Sequence, residues 1–342
     1  MAYLYNENWI DLLDFFKLNN MSRKEKQKWL EQFSSIEEAF QALYKSPKKI
    51  NLITSSQKTD IRVITILDKD YPYLLKNIFD PPVILYLLGN DLKHNENLTI
   101  SVIGSRHPTP YGEKTARIIV EYFKHPQVSI ISGMAIGIDS IAQITALNSE
   151  MNTIAVLGSG VDVCYPRSKV ALYKKLIDKG SIISEYPPGT PPKSYHFPMR
   201  NRIISGLSKK LIVAEAGLKS GTMITAQCAL EQGRDVYAIP GSIFMKQSQG
   251  CHKLINDGAK ILMDEEMIVS ISSDFKLDLS KDEKFLLKQI NQLDPNFYEL
   301  QILLNIDTTK LLIELGKLES LGLLEQKFGK FILTEKGFAE IQ

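Results

Sequence analysis

Residues 98–112 read LTISVIGSRHPTPYG, a short apolar run that ends in glycine and leads into the proline of a helix start. Further runs of this kind follow between residues 128 and 263, namely VSIISG, NTIAVLG, GSIISEYP, KLIVAEAG, DVYAIPG and AKILM. Each is rich in Ile or Val and apolar on both faces. Such strands, alternating with helix-length segments, predict a parallel sheet covered on both sides. The fold class is therefore α/β, with a Rossmann-like, doubly wound and mostly parallel sheet.

The regions on either side of this sheet have patterns of their own. Residues 1–57 place apolar side chains at helical spacing and predict a small N-terminal helical, SAM-like domain. Residues 58–265 form the extended Rossmann-like domain, and residues 266–280 a charged linker. Residues 281–342 contain three helical segments and a hairpin pattern, which predict a C-terminal winged-helix domain.

The net charge of +2 conceals a strong asymmetry along the chain. Residues 97–263 carry 19 Lys and Arg against 11 Asp and Glu, a net charge of +8. Residues 264–342 carry 9 against 15, a net charge of −6, and residues 1–96 are balanced. A basic central region suggests a polyanionic partner, although charge alone is equally compatible with a solvated basic surface.

Neither an export signal nor a membrane span is apparent in the sequence. The first residues, MAYLYNENWIDLLDF, include acids where a signal peptide has a basic stretch, and no apolar run reaches roughly 18 residues. The three cysteines show neither metal-ligand spacing nor an even disulfide framework. We expect a cytoplasmic protein with no metal site.

Ligands of doubly wound sheets bind at the carboxyl ends of the strands, so the residues after each strand are the candidates. The first strand is followed by a glycine, a hydroxyl and a guanidinium before a helix start, a combination suited to phosphate. The second and third strands are both followed by small residues. After those of the third strand, the chain continues to two cations at a turn. The candidate residues of these three strand ends are Gly104, Ser105, Arg106, Gly133, Gly158, Arg167 and Lys169.

Residues 187–206, PPGTPPKSYHFPMRNRIISG, are interpreted as a long proline-stiffened loop. Cations bind phosphates, and aromatic rings stack on unpaired bases. A loop that carries both kinds of side chain therefore favours single-stranded over duplex DNA. The alternative is that Tyr195 and Phe197 only hold the loop to the core. The candidates here are Lys193, Phe197, Arg200, Asn201 and Arg202, and a further phosphate-ready helix start contributes Lys219, Ser220, Gly221 and Thr222.

The sequence offers little that points to catalysis or to a bound cofactor. It contains no Walker A motif, which disfavours ATP hydrolysis. Residues 158–163, GSGVDV, match only the first part of a dinucleotide fingerprint and are weak support for NAD. No nucleophile lies near His196 in the sequence. We therefore expect a binding protein rather than an enzyme.

Several blocks of the chain resemble the DprA/Smf (DNA-processing protein A) family. They are GSRHPTPYG, SGMAIGID, YPPGTPP, FPMRNRIISGLS, KSGTMITAQCALEQGRDVYAIPG and SQGC with the following LI and DGAK, across roughly residues 61–263. The resemblance implies a cytoplasmic, dimeric protein of natural transformation that binds and protects incoming single-stranded DNA and helps to load the RecA recombinase. By position, Arg106 and residues 193–202 correspond to the family's DNA-binding pocket, with Arg167, Ser220, Gly221 and Thr222 beside it.

The sequence departs from this family at two places. NNMSRKEKQKW replaces the Gly-rich hairpin that many members carry near the N-terminus, and His252 stands where Asn is usual. Two other functions remain open. One is a nucleotide phosphoribohydrolase-like enzyme, although Met223, Ile224, Thr225 and Ala226 offer no carboxylate after the Gly-Thr pair. The other is a transcriptional regulator acting through the winged helix.

The candidate site yields a quantitative expectation for two arginines. We expect Arg106→Ala and Arg200→Ala each to weaken single-strand binding by ~1–3 kcal/mol, with a smaller salt dependence and an intact fold.

Overall fold

A computed structural model describes most of the 342-residue chain. The described residues are 23–30, 32, 33, 38, 42, 61–92, 99–125, 127–264, 267, 268, 279–293, 295–320, 322–327, 329–334, 337, 338, 340 and 341. Everything below refers to these residues.

The strands and helices alternate through the central part of the chain. The strands are β1 (Arg62–Thr65), β2 (Ile84–Gly89), β3 (Thr99–Gly104), β4 (Ser129–Ser132), β5 (Asn152–Val156), β6 (Ser181–Ser184), β7 (Lys210–Glu215), β8 (Asp235–Ala238), β9 (Lys260–Ile261), β10 (Leu324–Lys327) and β11 (Lys330–Leu333). The helices are α1 (Arg23–Leu30), α2 (Tyr73–Lys76), α3 (Pro110–Tyr122), α4 (Ile138–Asn148), α5 (Val170–Lys179), α6 (His196–Gly206), α7 (Gly221–Glu231), α8 (Gln249–Asn256), α9 (Lys281–Leu293), α10 (Phe297–Leu304) and α11 (Thr308–Ser320). A single 3-10 turn, Arg167–Lys169, precedes α5.

Nine strands form one sheet in the order β1-β2-β6-β5-β4-β3-β7-β8-β9. The seven strands from β6 to β9 in this order pair in parallel, whereas β1 and β2 join antiparallel at one edge. The chain starts the parallel part at β3, proceeds outward through β4 to β6, and then returns to place β7 on the other side of β3. The carboxyl ends of β3 and β7 therefore flank a topological switch point, where such sheets bind ligands.

The two faces of the sheet bury separate apolar clusters. Leu211 and Val213 of β7 belong to one cluster, and Ile212 and Ala214 belong to the other. This alternation follows from the two-residue period of a strand. Since helices cover both faces, the predicted doubly wound sheet is confirmed, and all seven predicted apolar runs from residue 98 to residue 263 contain strands.

The predicted loop at residues 187–206 is wrong in its second half, because α6 begins at His196. Pro198 lies in the first turn of this helix, where a missing N–H breaks no intrahelical hydrogen bond. Ile203 and Ile204 are buried and hold the helix against the sheet. Neighbouring residues of α6 consequently point in different directions, which a loop interpretation did not anticipate.

The C-terminal region contains the predicted elements, three helices (α9, α10 and α11) and a hairpin of β10 and β11. Its apolar cluster consists of residues from this region together with Leu279 just before it, among them Leu287, Leu300, Leu318 and Phe331. The winged-helix assignment itself stays a prediction. Of the predicted N-terminal helical domain, α1 and a few single residues are described, and the rest of that prediction lies outside the described residues.

Candidate nucleic-acid interface

A cavity of about 860 Å³ opens at the switch point between β3 and β7. Loops after several strands and the first turns of α6 and α7 form its wall. The lining residues are Ile103, Gly104, Ser105, Arg106, His107, Ala135, Asp139, Tyr165, Pro192, Ser194, Phe197, Pro198, Arg200, Asn201, Ile204, Gly217, Lys219, Ser220, Gly221, Thr222, Ile224, Thr225, Lys246 and Gln247. The cavity therefore lies where the strand pattern predicted the ligand site.

The loop after β3 brings Arg106 to the cavity on a rigid base. Ser105 N donates a 2.7 Å hydrogen bond to Glu215 O, and Ser105 O accepts one from Ile138 N at 3.1 Å. Gly104 is required at the strand end, since a Cβ atom there would lie 2.6 Å from the Ile138 side chain. The backbone of this loop is thus fixed from both sides, while the Arg106 side chain is exposed.

The helix start that follows this loop is not available to a phosphate. Glu215, buried at the end of β7, accepts hydrogen bonds from Thr109 N at 3.1 Å and from the Thr109 hydroxyl. Thr109 is the N-cap of α3, so a carboxylate of the protein already occupies the positive end of this helix. The predicted phosphate site therefore uses Ser105 and Arg106 without the N-terminus of α3.

The start of α7, in contrast, faces the cavity. Ser220 is the N-cap, and its Oγ accepts a 3.1 Å hydrogen bond from Thr222 N. Thr222 Oγ1 donates in turn to Gly104 O at 2.9 Å and ties this helix to β3. Ser220, Gly221 and Thr222 all line the cavity. Because the N-terminus of a helix carries partial positive charge, this wall favours an anion.

Arg200 lines the floor of the cavity but is only 4% exposed. Its Nη1 donates to Gly133 O at 2.9 Å and also to Val156 O, and its Nε donates to Asn201 Oδ1 at 3.3 Å. Burial lowers the pKa of Arg200 to about 10, and the nearby Asp139 carboxylate opposes this lowering. Arg200 therefore holds the ends of β4 and β5 together, and the expectation that Arg200→Ala leaves the fold intact is withdrawn.

Asp139 provides the negative charge that acts most strongly on this guanidinium. The N-cap of α4 is Gly137, so Asp139 does not cap this helix. Asp139 lies in the first turn and accepts a 3.1 Å hydrogen bond from Gly133 N through Oδ2. Burial raises the pKa of the Asp139 carboxyl, whereas the charge of Arg200 acts to lower it. The opposite charges of the two buried side chains therefore act on each other at the floor of the cavity.

Arg202 is removed from the candidate set by its position in the structure. Its Nε lies 3.0 Å from Asp80 Oδ2, and its Nη2 lies 2.7 Å from Glu185 Oε2. The side chain is only 10% exposed and is not part of the cavity wall. Arg200 and Arg202 are two positions apart on α6, and residues at this spacing do not share a helix face. Arg202 therefore neutralises internal carboxylates.

Aromatic rings form the wall opposite the loop after β3. Phe197 and Tyr165 both line the cavity, with ring centroids 5.3 Å apart. The close approach of Phe197 depends on Gly158, where a Cβ atom would lie 3.0 Å from the ring. His196 is buried beneath, where its Nδ1 donates to Gly158 O at 3.0 Å. His196 thus has a structural role.

Three cations of the cavity wall remain exposed, Arg106, Lys219 and Lys246. Among the described residues, no salt bridge engages any of them. The only carboxylate in the described lining belongs to Asp139, which already faces Arg200. The open part of the cavity is therefore positively charged and flanked by aromatic rings.

The sequence-predicted residues divide into two groups. Those that line the cavity are Gly104, Ser105, Arg106, Phe197, Arg200, Asn201, Lys219, Ser220, Gly221 and Thr222. Those outside its lining are Gly133, Gly158, Arg167, Lys169, Lys193 and Arg202. Gly133 and Gly158 lie directly behind it, against Arg200 and Phe197. Lys193 lies next to the lining residues Pro192 and Ser194, with its Nζ 5.9 Å from the Tyr195 ring centroid.

Comparison with known proteins decides the family. The model of the family described as DNA recombination-mediator protein A matches residues 62–272. The chain belongs to this family. A DNA processing protein DprA of Bacillus subtilis is 39% identical over 222 residues, which is 65% of this chain and 75% of that protein. The DprA of Streptococcus pneumoniae is 44% identical over 198 residues, which is 58% of this chain and 70% of that protein.

Two solved structures of DNA processing protein A share the fold. The Streptococcus pneumoniae protein superposes with a TM-score of 0.57 at 34% identity and covers 78% of this chain and 93% of its own. The Helicobacter pylori protein has a TM-score of 0.57 at 28% identity and covers 62% of this chain and 96% of its own. The latter structure was described for its mode of binding single-stranded DNA.

Sequence reasoning missed seven polar or aromatic residues of this family member's cavity, His107, Asp139, Tyr165, Ser194, Thr225, Lys246 and Gln247. His107 and Tyr165 stand next to, or close to, residues that were predicted. Lys246 and Gln247 follow β8, so the rule that ligands bind after strand ends could have found them. They were overlooked because seven residues separate Lys246 from the end of β8.

The described residues contain no cluster of three or more His, Cys, Asp or Glu that could hold a metal ion. Within the same part of the chain, none of the helices combines the length and apolar character needed to cross a lipid bilayer.

Proposed function

We propose that this protein binds single-stranded DNA in the cavity between β3 and β7. The observation that carries the proposal is the convergence of Arg106, Lys219 and Lys246 with the N-terminus of α7 around one concave surface. Each of these groups attracts phosphate, and several phosphate-binding groups in a row suit a polynucleotide. The relative from Helicobacter pylori whose single-strand binding mode was described supports the same ligand.

The aromatic wall favours single strands over duplex DNA. Phe197 and Tyr165 face the cavity, and a base can stack on such rings only when its own faces are unpaired. A base pair within a duplex stacks on its neighbours and offers only its edges. The ligand is therefore a flexible strand that places phosphates near the cations and a base near the rings.

The wider role follows from the family to which the chain belongs. We propose that the protein acts without chemistry on the DNA, protects incoming strands during natural transformation, and assists the loading of RecA as a cytoplasmic homodimer. The decisive assay measures the rate at which RecA hydrolyses ATP on strands coated with single-strand-binding protein. Faster onset in the presence of this protein is expected. An unchanged onset, despite tight strand binding, contradicts the RecA role.

Arg106→Ala tests the cavity directly by fluorescence anisotropy with a labelled single-stranded oligonucleotide. Loss of one phosphate contact is expected to weaken binding by ~1–3 kcal/mol and to reduce the slope of log K against log salt by about 0.7. Arg117→Ala is the matched control, because Arg117 is exposed on α3 outside the cavity wall. Equal affinities of both variants and the unmodified protein reject the cavity as the binding site. Equal affinity for a duplex of the same length rejects the preference for single strands.

A further inference from the structure

The turn after β8 exposes three consecutive apolar side chains beside the cavity. Ile243 is 73% exposed, Phe244 is 88% exposed and Met245 is 48% exposed. Exposure of a phenyl ring to water is unfavourable relative to its burial. Neither the fold nor the phosphate-binding part of the cavity accounts for these side chains.

Hydrogen bonds hold this turn in shape, so the exposed ring has a fixed base. Met245 N donates to Ser242 O at 3.1 Å, and Ser248 N donates to Met245 O at 3.0 Å. Phe244 N donates to Ser242 Oγ at 3.3 Å. His252 Nε2 lies 3.0 Å from Gly241 O and attaches the start of the turn to α8. Phe244 is thus presented to the outside by an ordered backbone.

The turn is continuous with the cavity wall. Lys246 and Gln247, which line the cavity, directly follow Met245. A volume of about 860 Å³ is typical of a pocket for one small ligand, so a strand of many nucleotides must continue over its rim. Ile243 and Phe244 are carried by the same short turn that brings Lys246 to the cavity wall, and both are exposed.

We propose that Phe244, supported by Ile243, is a stacking site for a nucleobase of the bound strand, just outside the cavity. This inference rests on the proposed single-strand binding. A phenyl ring has no positive charge or hydrogen-bond donor for a phosphate, whereas every nucleobase has a face that stacks on such a ring. Lys246 holds the phosphate backbone at the rim, and Phe244 holds the adjoining base. The cavity and this turn together form one track longer than the cavity itself.

Phe244→Ala separates this stacking from phosphate binding. With a long dT oligonucleotide, affinity is expected to fall about five- to hundred-fold while the slope of log K against log salt stays unchanged, because no cation is removed. With an oligonucleotide of the same length made of abasic units, the variant and the unmodified protein should bind equally. Phe79→Ala is the matched control, since Phe79 is equally exposed and lies outside the cavity wall.

Phe244→Trp supplies a direct readout, because stacking on a base quenches indole fluorescence. Titration with dT should quench the added indole, after subtraction of the signal of the two native tryptophans. Absence of quenching, or an equal loss of affinity for abasic strands, overturns the inference. So does a change in sedimentation coefficient of Phe244→Ala, since the ring would then serve an interface between copies of the chain. If Arg106→Ala weakens binding and Phe244→Ala does not, the stacking site fails while the proposed function stands.

Discussion

Three arginines of the basic domain have the same charge and three different environments. Arg106 is exposed on the rim, Arg200 is buried under the floor among backbone carbonyls, and Arg202 is buried between Asp80 and Glu185. Only Arg106 has guanidinium donors that can reach a ligand. Within the described part of the chain, these donors have no protein partner. Burial and pairing, rather than the presence of a guanidinium, decide which cation is available to a ligand.

Arg200→Ala is expected to unfold the protein more readily, not simply to weaken DNA binding. The substitution leaves Asp139 buried without its counter-charge and leaves Gly133 O without its donor, at a cost of ~3 kcal/mol or more. Urea unfolding followed by circular dichroism measures the loss. The double variant Arg200→Met with Asp139→Asn should recover part of it, because no lone charge stays buried. An Arg200→Ala protein as stable as the unmodified one contradicts this assignment.

At the scale of elements, the site depends on how closely β3, α4 and α7 approach. Gly104 lies where these elements meet, with Ile138 on one side and the carbonyl oxygen that accepts from Thr222 on the other. The same close approach places the N-terminus of α7 at the cavity wall. The N-terminus of α3, in contrast, is occupied by the carboxylate of Glu215. One helix start is thus available to a ligand, and its neighbour is used for stability.

Gly104→Ala tests this close approach. A Cβ atom would lie 2.6 Å from Ile138 and 2.9 Å from Glu215 O, which forces strand and helix apart at a cost of ~1–3 kcal/mol. Gly221→Ala is the control for stability, because no atom lies within 4 Å of the added Cβ. Thermal unfolding should show a lower Tm for Gly104→Ala alone. An equal Tm for both variants would show that β3 and α4 can move apart without loss of stability.

At the scale of the whole molecule, the cavity and the C-terminal region depend on separate sets of residues. The cavity wall comes from residues 103–247, whereas the C-terminal apolar cluster begins at Leu279. On α11, Lys317 pairs with Glu283 and is therefore not free for a phosphate. This pairing argues against phosphate binding by Lys317 of the acidic C-terminal region.

Deletion of residues 281–342 is expected to leave single-strand affinity unchanged within ~0.5 kcal/mol, because no residue of the cavity wall is lost. Anisotropy titrations of the full chain and of the shortened chain at equal salt check this. A large loss of affinity assigns DNA contacts to the C-terminal region. A footprint on a specific duplex that disappears with the deletion favours the transcriptional regulator instead.

The sequence alone determined the sheet and predicted the carboxyl ends of its strands as the location of the candidate site. It could do so because apolar runs with β-branched residues, and the turns after them, depend on local chemistry. It also located Arg106 and the start of α7, since both lie in the segments that follow predicted strands. Tertiary structure alone decided that Arg202 is paired, that Arg200 supports the floor, and that Glu215 occupies the start of α3. The partners of these groups are 17, 67 and 106 residues away in the chain, and only folding brings such distant charges and carbonyls into contact.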